Sequence, residues 1–159
     1  MVIGKDGKIK DTPLYQKILI TAAAVVAFMA PEVISILNSN TSDEVIMKRI
    51  AKMDDPKRKE ILMDILKIRK SKDMKVKFSL CREINRQINS LNEELSTALL
   101  IISKNGYNNQ ENRVKAWHHI INAKECLQKL QEMNIHVDDL IKEIKDAELD
   151  IAKEINKAK

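Results

Sequence analysis

The sequence predicts an all-α protein, a helical bundle of about five to seven helices with long antiparallel helices towards the C-terminus. Three observations predict it. Gly and Pro number three each among 159 residues and aromatics make up 3%, too few turn and sheet-facing residues for a β fold. Lys, Glu, Ile, Leu and Ala are abundant, a composition that favours helices. Apolar residues recur at steps of three and four over most of the chain, the spacing of a helix face. With 44% hydrophobic and 32% charged residues, the chain is too apolar and too evenly mixed for disorder. Its length suits one domain with a real core.

Residues 1–12 hold two of the three glycines and read as a flexible arm; residues 13–159 read as a single helical domain. Thr12 and Pro13 are a hydroxyl cap followed by proline at the first helical position. The apolar helix they open spans 13–37, with a break or kink at Ala30-Pro31, because proline lacks an N–H and disfavours helix before it. Thr41 to Glu44 has capping-box spacing and opens a helix to about Met53. Asp55-Pro56 is a second cap and first-turn pair. Ile61, Leu62, Ile65, Leu66 and Ile68 then share one face up to about Arg69. From Met74 a long helix runs to Lys104 on a seam of Leu80, Cys81, Ile84, Ile88, Leu91, Leu95 and Leu99. Asn105-Gly106 stops it. The next helix, Gln110 to Met133, places Val114, Trp117, Ile121, Cys126, Leu127 and Leu130 mostly on one side. Asn134 to Val137 breaks it, and Asp138-Asp139 caps a last helix carrying Leu140, Ile141, Ile144, Ala147, Leu149, Ile151 and Ile155. Short connections make these last three helices antiparallel neighbours.

Charge is unevenly spread. Net charge is +5, yet Lys48 to Arg86 holds fourteen bases against six acids, so that segment is +8 and the rest of the chain −3. Lys67 to Lys77 has six bases and one acid at a helix junction. Such a field attracts phosphates. The candidate nucleic-acid-binding residues of the basic segment (42–86) are Lys57, Arg58, Lys67, Arg69, Lys70, Lys72, Lys75 and Lys77. The partner they imply is RNA or DNA, held by backbone phosphates because no base-reading motif accompanies them. The alternative is that these charges form a solvated helix face.

Ile18 to Leu37 is long enough to span a bilayer, but Pro31 and Glu32 interrupt it. It reads first as a core helix, with membrane insertion and a targeting signal as the other readings. As a docking helix it suits a protein–protein or assembly module, binding a protein partner or another copy. Membrane contact comes behind both.

No Walker loop, GxGxxG, GxSxG or HExxH is present. His118 and His119 point about 100° apart on a helix and His136 is remote, so no metal centre and no cofactor are expected. Cys81 and Cys126 lack a ligand spacing and read as reduced core thiols of a cytoplasmic protein. Arg113 and His118 have R-x4-H spacing, with Asn112 just before. This resembles the catalytic motif of HEPN-type ribonucleases, small all-helical domains. The resemblance implies phosphate clamping by Arg113 and proton transfer by His118. The other reading of the pair is helix decoration beside a core Trp117. A non-enzymatic binding module is the reading preferred here.

Overall fold

The computed structural model describes residues 13–38, 40–70, 74–103 and 109–157, with the backbone alone for 74–77. The expected arm over 1–12 and the Thr12 cap lie outside the described residues. Those described form six helices and no strand: α1 (Leu14–Asn38), α2 (Asp43–Ala51), α3 (Pro56–Arg69), α4 (Met74–Ile102), α5 (Gln110–Glu132) and α6 (Asp138–Lys157). The fold is all-α, as the periodicity predicts.

α4, α5 and α6 pack in chain order, and α1 lies across α4 and α6. The backbone N–H of Tyr15 donates to Asp150 of α6 at 2.9 Å, so the start of α1 sits beside the end of α6. α2 and α3 are a short helical pair held at the opposite end, where α1 finishes. There Arg69 bonds the Ile36 carbonyl and Asp64 holds the loop before α6. One continuous core results, with Leu19, Val26, Met29, Leu62, Ile65, Ile88, Leu91, Leu127 and Ile144 buried in it.

The sequence reading needs five corrections. α1 runs through Pro31 without a break. Pro31 faces solvent, so water can satisfy the carbonyl one turn earlier, while buried Met29, Ala30, Val33 and Ile36 hold the helix on both sides. The cap of α2 is Ser42, not Thr41: its Oγ accepts from the Val45 N–H at 3.4 Å, and the Thr41 carbonyl is used by Arg69. Asp138 and Asp139 sit inside the first turn of α6, where their charge suits the helix dipole, and they do not precede it as caps. Leu149 is 62% exposed, outside the core.

The buried line of α5 is also displaced. Ala116, Ile120, Ala123, Leu127 and Leu130 are buried, whereas Val114, Trp117 and Ile121 lie at its margin. Each marginal residue is within two positions of a buried one, and the alanines carry too weak an apolar signal to fix the seam. Asp55 behaves as expected, its Oδ1 accepting from the Lys57 N–H at 3.0 Å ahead of Pro56. Asn109 caps α5 in the same way through Asn112 N–H. Asn134 closes α5 with φ of 63°, a left-handed conformation that asparagine tolerates better than most residues.

Candidate nucleic-acid interface

The basic segment becomes one region of the molecule because α2, α3 and the start of α4 adjoin. Arg69 ties the end of α3 to the start of α2 through Asp43, at 3.1 Å from Nε. The short 52–55 connection keeps the other ends together. Charge clustered in sequence is therefore clustered in space.

The eight candidates divide into three groups. Lys67 and Lys70 stand on the outer surface of α3, exposed and without an ion pair among the described residues. They are three apart and so share a helix face. Arg69, Arg58 and Lys57 are engaged within the fold. The Arg69 side chain is 12% exposed, donating from Nη1 to the Ile36 carbonyl at 2.7 Å and from Nη2 to the Thr41 carbonyl. It is a staple between α1, α2 and α3, each of its three nitrogens engaged within the fold. Arg58 lies 4.0 Å from Glu32 of α1. Lys57 lies 3.5 Å from Glu143 and 3.9 Å from Asp139 of α6. Lys75 and Lys77 are in the first turns of α4, known here by backbone only, and Lys72 lies outside the described residues.

Other bases that the sequence reading counted in the charge run but did not single out are exposed on these adjoining helices. Lys48, Arg49 and Lys52 on and just after α2, and Arg82 on α4, are exposed and form no ion pair among the described residues. Spacing on α2 held the signal: Ile46 and Ile50 take the buried side, so Lys48, Arg49 and Lys52 fall on the outer ones.

Arg113 and His118 are not brought together. Arg113 is half-buried, with Nη1 3.5 Å from Gln110 Oε1, and its guanidinium opposes the burial that pushes the Tyr15 phenol up. His118 is exposed, its ring 5.2 Å from that of Trp117 and tilted by 58°. Five residues turn a helix by about 140°, so the two side chains leave α5 in different directions. The other two histidines are in interhelical contacts. His119 Nδ1 lies 2.6 Å from Glu94 of α4. His136 donates its backbone N–H to buried Asp64 at 2.8 Å and places Nδ1 2.8 Å from the same oxygen. That hydrogen bond and the Asp64 charge raise the His136 pKa.

Among the described residues no three His, Cys, Asp or Glu side chains group as metal ligands do. Cys126 is buried and Cys81 half-buried, and burial pushes the Cys126 thiol up, away from nucleophilic use. α1 is long and apolar enough to cross a membrane by length and composition, with a mean hydropathy of 2.1 in its most apolar stretch. Its inner side is nonetheless part of the core, with Tyr15, Leu19, Ala22, Val26, Met29 and Val33 all fully buried. Comparison of the chain with protein-family models, with curated proteins and with solved structures finds no match.

Proposed function

We propose that this chain is a non-enzymatic helical binding module that contacts the phosphate backbone of RNA or DNA through the basic region formed by α2, α3 and the start of α4. The observation that supports it is the fate of the charged segment. Its helices adjoin, and Lys48, Arg49, Lys52, Lys67, Lys70 and Arg82 project into solvent without an intramolecular counter-charge among the described residues. Unpaired surface cations raise the local potential and recruit polyanions, and phosphate contact needs no base-reading geometry. Arg69, Arg58 and Lys57 support the surface from inside the fold.

The test is fluorescence anisotropy of labelled single-stranded RNA and duplex DNA across a salt series. Log K should fall linearly with log salt, at a slope of about −0.7 to −0.9 for each phosphate neutralised. Lys67→Glu with Lys70→Glu should shallow that slope by roughly 1.4 to 1.8 and cost at least about tenfold in affinity. Lys57→Glu, at a lysine already paired with α6, should do less. No binding at low salt, or binding that the double variant leaves intact, would overturn the reading. RNA that is cut during the titration would return Arg113 and His118 to consideration.

A further inference from the structure

The outer face of α1 differs from those of α5 and α6. Leu14 is 57% exposed, Ile20 39% and Phe28 69%, and Ala24, Ala27 and Pro31 are exposed beside them. Between Ile18 and Leu37 the only charged residue is Glu32. The solvent faces of α5 and α6, by contrast, are mostly charged or amide-bearing residues. A contiguous apolar face on a soluble fold marks a contact surface.

We infer that this face pairs with the same face of a second copy, the two α1 helices packing antiparallel about a two-fold axis that passes between Ala24 and Val25. The charges select this occupant. About that axis Lys17 meets Glu32 of the other copy, Thr21 meets Phe28, and Leu14 meets Ser35. The exposed Ala24 lies at the axis, where a small side chain permits close approach of the helices.

The flanks repeat the pattern. Thr21, Val25, Glu32 and Ile36 follow one side of α1, at i, i+4, i+11 and i+15. Beside Thr21 and Val25 that side is bordered by Glu60, Asp139 and Glu143, with Lys57 and His136 among them. Beside Glu32 and Ile36 it is bordered by Arg49 and Arg58. An antiparallel two-fold sets the acidic stretch of one copy against the basic stretch of the other, whereas a parallel two-fold turns this side of the partner's α1 away and leaves the stretches unmatched. The same acidic border opposes an anionic lipid surface. The stripe from Leu14 to Ser35 is about 32 Å long and some 10 Å wide, roughly 300 Å² per copy, below the roughly 800 Å² of a standard interface. The flanking grooves must close too, and the pair should be one that dissociates on dilution.

The test combines sedimentation velocity, from micromolar to near-millimolar protein, with site-directed crosslinking. Mass should rise from one chain to two with concentration, and Ala24→Glu should stay monomeric with an unchanged circular dichroism spectrum. Leu14→Cys and Ser35→Cys chains should form a disulfide when mixed and oxidised, while neither alone crosslinks beyond the wild type. These substitutions lie on the exposed face and leave the core intact. A single-chain mass at every concentration with no mixed crosslink would overturn the inference. So would Leu14→Cys crosslinking to itself, which reports a parallel pair. Flotation of the protein with phosphatidylglycerol vesicles, in the absence of a mass change, would assign the face to lipid instead.

Discussion

Arg69 joins three segments with one side chain, accepting nothing and donating to the Ile36 and Thr41 carbonyls while its Nε pairs with Asp43. Replacing it by methionine keeps much of the apolar stem but strands two carbonyls at the junction of α1, α2 and α3. Arg69→Met should therefore lower stability by about 1–3 kcal/mol, read as a lower urea midpoint, and an unchanged midpoint would show that the staple contributes nothing. His136 gives a pH dependence. Its pKa is raised above 6.5 by Asp64, so the folded state holds the proton more tightly than the unfolded state. The stabilisation is fully present below about pH 6.5 and is lost as pH rises through the folded value. The urea midpoint should fall over that window, and Asp64→Asn should flatten the fall. The sequence showed that Arg69 is a cation within a run of cations. It could not show the partner, because Ile36 and Thr41 are 33 and 28 positions away and a carbonyl acceptor leaves no trace in residue type.

At the scale of the element, α1 tolerates a proline that should have ended it. An interior proline costs a helix about 3 kcal/mol relative to alanine, and restricting the unfolded chain returns up to about 1 kcal/mol of that. Pro31→Ala should thus stabilise the protein by about 2 kcal/mol, seen as a higher thermal midpoint. A lower midpoint would mean that the packing of Val33 and Ile36 depends on the proline. Local signals were legible at Asp55-Pro56 and Asn134, whereas the cap of α2 fell at Ser42 and not Thr41, and Asp138-Asp139 fell inside α6. The displaced face of α5 was not legible, because a line through Ala116 and Ala123 is weaker than one through Val114, Trp117 and Ile121 until a neighbouring helix chooses between them.

For the whole molecule, helix-period spacing of apolar residues carried the all-α class, since a face repeated at three and four residues has no other regular use. The direction of the basic segment was half-legible. Its charge could be counted, but the division of Lys67 and Lys70 from Arg69 and Arg58 depends on which side of α3 meets α1, and that is a tertiary choice. The same arrangement has a kinetic consequence. Tyr15 is bonded to Asp150, 135 positions later, and the inner face of α1 is completed by α4 and α6. During synthesis the most apolar helix of the chain is made first and housed last, after the adjacent α4, α5 and α6 have had the chance to form their short-range contacts. Until α6 has been delivered, the part of α1 that it covers is bare along with the outer face, and the nascent chain is a client for whatever shields apolar segments in the cell.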